Sequence, residues 1–333
     1  MVRWQKKAVA TGAALVLVAA LGACSSSGGK QEEQKSGSGS GNVASTPRMK
    51  VAMITHSGPG DTFWDIVRRG AEAAAQKDNI ELQYSSDPDG AAQANLVQTA
   101  IDSKVDGIAV TLSKPDAMLP NVKKAIAAGI PVTILNGGLD VYKQGQTGAI
   151  GYFGQDERIA GQAVGDKVKA LGAKKVLCII HEQGNVGLES RCQGIKDKFG
   201  AVENLNVNGT DQPGTQATVT SKLQQDKAID YVIGLNAGIT LTSVQAAKDA
   251  SSAAKVGTFD MSKEMAKAVK DGIVQFAVDQ QPYLQGYLAV DAVWLYKTNG
   301  NTIGGGEATL TGPSFVEKAN VDAVEKFATA GTR

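Results

Sequence analysis

From residue 49 onward the chain alternates short apolar runs with longer stretches in which apolar positions recur every three or four residues. Strand-like runs fall at 50–55, 81–85, 107–112 and 132–136, and again at 175–180, 204–209, 231–235, 255–258 and 275–278. Most intervals between them carry helical periodicity, as in DIVRRGAEAAAQK, AAQANLVQTAIDSK, NVKKAIAAG and RIAGQAVGDKVKALG. This βαβα order predicts an α/β fold with parallel sheets covered by helices on both faces. The order runs twice, from 49 to about 150 and from about 155 to 280, and YFGQDE at 152–157 is read as the connection that breaks the rhythm. About 285 residues exceed one small core, so two lobes are expected, each with its own sheet.

The first 48 residues follow a different pattern. Arg3, Lys6 and Lys7 precede an apolar stretch from Ala8 to Leu21 that ends in small residues before Cys24, the layout of an export signal. A membrane-spanning helix needs about 20 apolar residues, and this run is shorter. The stretch LGAC resembles the lipobox of bacterial lipoproteins, which implies a signal peptide over 1–23, a lipid on Cys24 and an extracytoplasmic protein anchored to the cell membrane. Residues 25–48, rich in Gly and Ser, are expected to form a flexible tether. Losing Arg3, Lys6 and Lys7 with the signal takes the formal charge from +1 to −2, which argues against a nucleic-acid ligand.

Candidate chemistry sits where the strands end. In open parallel sheets ligands collect at the carboxyl ends of the strands. The loops there are THSGPGDTFW, ILNGG, IIHEQGNVGLESRC, GLNAG, GTFDMS and AVDQQP, which supply Asp61, Phe63, Trp64, Asn136, Arg191, Asn236, Asp260 and Gln280. A chain that gives only 5% of its residues to aromatics sets Phe63 and Trp64 side by side at a strand-to-helix loop. One ring can start the buried face of the helix, while a second on the neighbouring position is harder to bury. Sugars and cyclic polyols present an apolar C–H face, which a ring covers, and a rim of hydroxyls. Asp accepts from those hydroxyls, Arg donates in a planar fork, and Asn or Gln does both.

These loops resemble those of the type I periplasmic binding proteins for simple sugars, the ribose-binding group that serves ABC importers. The resemblance covers the chain from about Met49 to its end. Asp61-Thr62-Phe63-Trp64 is similar to that family's Asn-Pro-Phe-Phe, Thr258-Phe259-Asp260 to its Gly-Phe-Asp, and Gln280-Gln281-Pro282 to its Gln-x-Pro hinge, while Arg191 and Asn236 match its arginine and asparagine. The resemblance implies a two-lobe fold with a three-segment hinge, crossing near Gly154, Gln280–Pro282 and Thr311–Pro313. The lobes would be 49–153 plus 283–310 and 154–281 plus 312–333. It also implies a monomer that captures a simple sugar or sugar alcohol between the lobes and delivers it to an ABC import permease, with no cofactor and no catalysis. Asn136-Gly137 departs from the family's Asp-Arg. A missing arginine leaves volume there, and His56 or the His181-Glu182 pair offers polar contacts to fill it.

Each of these residues has a simpler structural role available. Asp61 can cap the following helix, Asn236 and Asp260 can be turn residues, Gln280 can serve hinge backbone, and Arg191 can pair with Glu189 or Glu182 on the surface. Cys178 and Cys192, 14 apart, permit a disulfide outside the cytoplasm, with two buried free thiols as the alternative. Two histidines without a cysteine cluster offer no metal site. The chain has no Gly-x-Ser-x-Gly elbow for a secreted α/β hydrolase and no phosphate-cradling P-loop. A ligand-sensing role before a membrane receptor is the remaining alternative to import.

Overall fold

The structure, a computed structural model, describes residues 43–58 and 61–333. Cys24, the expected export signal and most of the expected tether lie outside the described residues. Residues 44–46, counted above with the tether, are hydrogen-bonded to the folded body. Ala44 N–H donates to the Lys77 carbonyl at 2.8 Å, and Thr46 accepts from Asn79 and from the Trp294 indole at 2.9 and 3.0 Å.

The first half of the chain forms β1 (Met49–Thr55), α1 (Thr62–Lys77), β2 (Ile80–Ser86), α2 (Gly90–Asp102), β3 (Gly107–Val110), α3 (Pro115–Ala127), β4 (Val132–Leu135), α4 (Leu139–Lys143) and β5 (Gly151–Gln155). The second half repeats the rhythm with α5 (Glu157–Ala170), β6 (Val176–Ile180), α6 (Val186–Phe199), β7 (Val202–Asn206), α7 (Gln212–Gln225), β8 (Tyr231–Gly234), α8 (Ala237–Asp249), β9 (Lys255–Phe259), α9 (Lys263–Lys270) and β10 (Phe276–Asp279). The chain ends in α10 (Pro282–Asn299), β11 (Thr309–Gly312), β12 (Ser314–Glu317) and α11 (Asp322–Thr329).

Two six-stranded sheets result, ordered β11-β5-β4-β3-β1-β2 and β12-β10-β9-β8-β6-β7. Neighbouring strands run parallel throughout the first sheet. In the second sheet β12 pairs antiparallel with β10, a departure from the all-parallel expectation. That exception follows from connectivity, because a single residue, Pro313, separates β11 from β12 and the chain runs straight from one sheet into the other. Helices cover both faces of each sheet. In the first lobe α1 and α10 pack on one face around Val67, Val290 and Val293, and α2 and α3 on the other around Val97, Met118 and Val122. In the second lobe α7, α8 and α9 cover one face and α5 and α6 the other.

The segment read as a break in the rhythm is a strand. Gly151–Gln155 pairs with β4 and β11 and is wholly buried. Its sequence, GYFGQ, shows no alternation because both its faces are covered. Tyr152 enters the core on one side of the sheet and Phe153 the core on the other.

The chain passes between the sheets three times: from β5 into α5, from β10 into α10, and from β11 to β12. These passages are tied to one another. The Gln281 amide donates to the Thr311 carbonyl at 2.7 Å, and the Gln285 amide donates to the Gln280 carbonyl and to Thr311 Oγ1 at 3.0 and 3.1 Å. Such a cluster at the element ends is where two-lobe proteins bend.

Candidate functional site

Helix capping delivers several polar side chains to the space between the lobes. Asp61 is the N-cap of α1 and accepts from the Phe63 amide at 3.0 Å. Asn185 and Asn236 cap α6 and α8 in the same way. An N-cap places its side chain at the strand-proximal end of the helix, so cap and cavity roles coincide. Asn136 and Asp260 follow β4 and β9, the fourth strand of each repeat, and both adopt left-handed backbone, with φ of 60° and 69°. Asn and Asp tolerate this conformation better than other side chains. The two lobes thus present matched turn residues toward each other.

One cavity between the lobes is lined by all nine candidate residues: His56, Asp61, Phe63, Trp64, Asn136, Arg191, Asn236, Asp260 and Gln280. Glu157, Glu182, Asn185 and His181 complete much of its wall. The sequence had suggested burying only one of the two rings, yet Phe63 and Trp64 are each 6% exposed. They meet edge to face at 5.1 Å, and Trp64 meets the His56 ring the same way at 4.7 Å. The first turn of α1 lies under the cleft, so adjacent positions there both reach the first-lobe core while their edges border the cavity.

Arg191 is buried and does not pair on the surface with Glu189 or Glu182. Its Nε and one terminal nitrogen donate to the two carboxylate oxygens of Glu157 at 2.6 and 3.0 Å, and its other terminal nitrogen donates to the Leu235 carbonyl at 2.9 Å. The guanidinium also lies 4.6 Å from the centre of the Phe259 ring. Three of its five N–H groups are thus occupied, leaving two for a ligand. The pair forms because α5 and α6 cross with almost no space between backbones. A Cβ at Gly161 would collide with the Arg191 carbonyl, and one at Gly194 with the Arg158 carbonyl. Cys178 of β6 and Cys192 of α6 are joined by a disulfide, which fixes the residue next to Arg191.

Gln280 serves side chains. Its amide donates to Asp260 Oδ1 at 2.6 Å, and its oxygen accepts from Asn136 at 3.2 Å and from Gln285 at 3.0 Å. This chain runs from the first lobe through the hinge to the second. Gly137 borders the same cavity as His56, His181 and Glu182. A Cβ there would press to 3.2–3.4 Å against the backbone of Leu112 and Ser113, a tight fit that favours glycine.

The electrostatics are those of a buried polar pocket. Burial pushes the Asp61 carboxyl up to about 6, opposed by the Phe63 amide and reinforced by Glu182. Burial likewise pushes Asp260 up to about 7, opposed by Arg191 and the Gln280 amide. It lowers His181 to about 4 and also lowers His56. Thr111 Oγ1 accepts from the His56 backbone and from Gln93, so its own proton goes to His56 Nδ1 at 2.8 Å. His56 Nε2 lies 3.4 Å from the Asn185 amide nitrogen and 3.8 Å from Glu182 Oε2. The Asn236 amide, its oxygen held by Ile239, donates to His181 Nε2 at 3.2 Å, which puts the His181 proton on Nδ1. Among the described residues that buried Nδ1 has no hydrogen-bond partner.

The lobes touch across the cleft. Val186 N–H donates to the Ser113 carbonyl at 3.1 Å, and Lys114 meets Glu182 at 3.2 Å. The cavity between them measures about 40 Å³, room for a few waters. A ring of sugar size enters as the lobes part.

Two mostly parallel sheets with a three-strand hinge and a polar cleft define a type I periplasmic binding protein. The family model for the periplasmic binding protein domain matches residues 51–301, and the chain belongs to this family of solute-binding transport proteins. It is 54% identical to a carbohydrate transporter from Acidothermus cellulolyticus 11B, solved in complex with myo-inositol. That likeness covers 86% of this chain and 100% of the other with a TM-score of 0.85. It is 25% identical over 307 residues to the xylose/arabinose-binding protein of Sulfolobus acidocaldarius, spanning 87% of this chain and 73% of that protein. It is 27% identical over 291 residues to the D-apiose import binding protein of Paraburkholderia graminis, spanning 84% and 90%.

Proposed function

We propose that this protein binds a cyclic polyol, with myo-inositol as the first candidate, in the cleft between its lobes and hands it to an ABC import permease without chemical change. The observation that carries the reading is the meeting of acceptors and donors from both lobes around one cavity beside Trp64. Asp61 and Asp260 accept from hydroxyls on opposite sides, the two remaining N–H groups of Arg191 donate, and the Asn136 and Asn236 oxygens accept. Trp64 covers an apolar C–H face. The likeness to the myo-inositol complex supports a ring with hydroxyls on all sides.

The basic start, the short apolar stretch and LGAC support an exported lipoprotein held at the membrane through Cys24. Cys24→Ser is expected to release the protein from the membrane fraction.

Thermal unfolding against inositols, pentoses, hexoses and linear polyols, after bound ligand is removed by unfolding and refolding, tests the ligand assignment. A ligand at about 100 times its dissociation constant stabilises by about 2.7 kcal/mol. A shift with myo-inositol and none with linear polyols supports the reading, and a shift only with pentoses replaces the ligand.

A further inference from the structure

Beside the inner cavity lies a larger space that shares part of its wall. This vestibule measures about 210 Å³, against about 40 Å³ inside. Both spaces are bordered by His56, Asp61, Trp64, His181, Glu182 and Asn236, so a molecule can occupy the two without leaving the cleft. Beyond the shared wall the vestibule is bounded by Thr62, Thr210, Gln212, Gly238, Pro88 and Ile239.

We infer that the vestibule is a second subsite, and that the protein accepts cyclic polyols carrying an O-linked neutral sugar as well as the free ring. This rests on the polyol reading of the inner cavity. Three features select the substituent. Space of this size exceeds what a hydroxyl or methyl group would occupy. Hydroxyl and amide groups at Thr62, Thr210 and Gln212 suit a ring that both donates and accepts. The carboxylates of Asp61 and Glu182 border the same space and disfavour a phosphate or carboxylate there. Trp64, reached from both sides, becomes the partition between the two rings.

Gly238 gives a clean way to close the vestibule. A Cβ at this position meets nothing nearer than Asn236 Oδ1 at 3.7 Å and Gln212 Nε2 at 3.8 Å, so a side chain there grows into open space. The test is calorimetric titration of the whole protein and its Gly238→Leu and Gly238→Ala variants with myo-inositol and with O-α-galactosyl-myo-inositol. The expected result is that both ligands bind the parent protein, with affinities within about tenfold. Gly238→Leu should then weaken the glycoside by at least about thirtyfold while changing myo-inositol by less than about threefold, and Gly238→Ala should bind both. Binding of myo-inositol without the glycoside overturns the second subsite and leaves the polyol reading intact. Equal weakening of both ligands by Gly238→Leu overturns it too, since the free ring would then sit in the vestibule. Failure of myo-inositol itself to bind the parent overturns the polyol reading and the inference built on it.

Discussion

Glu157 and Arg191 lie 34 residues apart in sequence, yet they form a buried, doubly hydrogen-bonded pair at 2.6 and 3.0 Å. Glu157 is the first residue after the first hinge passage, and Arg191 faces the cleft. The carboxylate therefore sets both the charge balance and the orientation of the guanidinium.

Glu157→Ala leaves Arg191 buried without its counter-ion. Unfolding in urea is expected to show a loss of about 3–5 kcal/mol, accompanied by weaker ligand binding. A loss under about 1 kcal/mol would mean that water reaches the pair and solvates it.

Asp260 gives a pH signature. Its carboxyl is raised from 3.8 to about 7, so between those values the folded state holds more protons than the unfolded state. Stability contributed through this group therefore falls as pH rises from about 4 to 7. Asp260→Asn is expected to lose less stability across that window than the parent. Chemical denaturation at several pH values checks this, and an unchanged profile would contradict the raised value.

The same carboxyl affects binding. An ionised Asp260 accepts from ligand hydroxyls more strongly than its protonated form, so affinity is expected to rise from pH 5 to 8. Asp260→Asn should weaken binding by about 1.5–3 kcal/mol and flatten the pH dependence. Titration calorimetry in buffers of different ionisation enthalpy should detect proton release near neutral pH in the parent alone.

Trp64 supplies a reporter. The chain has three tryptophans, of which Trp4 lies in the expected export signal and Trp294 packs beside Thr46, away from the cleft. Ligand addition should change tryptophan fluorescence in Trp294→Phe and leave it nearly unchanged in Trp64→Phe. The reverse outcome would remove Trp64 from the ring face.

The Cys178–Cys192 bridge closes a loop of 14 residues. Reduction, or replacement of both cysteines by Ala, is expected to cost about 3 kcal/mol. Equilibrium unfolding with and without reductant measures it.

Apart from β5, whose GYFGQ shows no apolar run, the parallel strands of both repeats are legible along the chain because each is a short apolar run bounded by turn residues. Edge strands, only partly buried, are legible less well. The strand expected at 204–209 is Val202–Asn206, an edge strand whose residues are half-exposed or exposed and so carry little apolar pattern. β11 and β12 escaped notice for the same reason. Site residues at strand ends were visible by position, since βα loops point to one side of a sheet. Glu157, Asn185 and Gln285 were not, because their roles depend on partners brought together by folding. Asp156-Glu157 at the start of a helix looks like ordinary favourable charge at an N-terminus. Only the glycine crossing of α5 and α6 turns it toward Arg191.

The three passages between the lobes lie side by side, with Gly312 set against the backbone of Gln280 and close to the side chain of Gln155. Three parallel straps behave like the leaf of a door hinge: they yield to bending about one axis and resist twist and sideways slip. Opening and closing thereby reduce to nearly one coordinate, and a ligand that bridges Asn136 and Asp260 fixes that coordinate. The outer surfaces of both lobes are then registered together, so any partner that reads them senses occupancy from far outside the cleft.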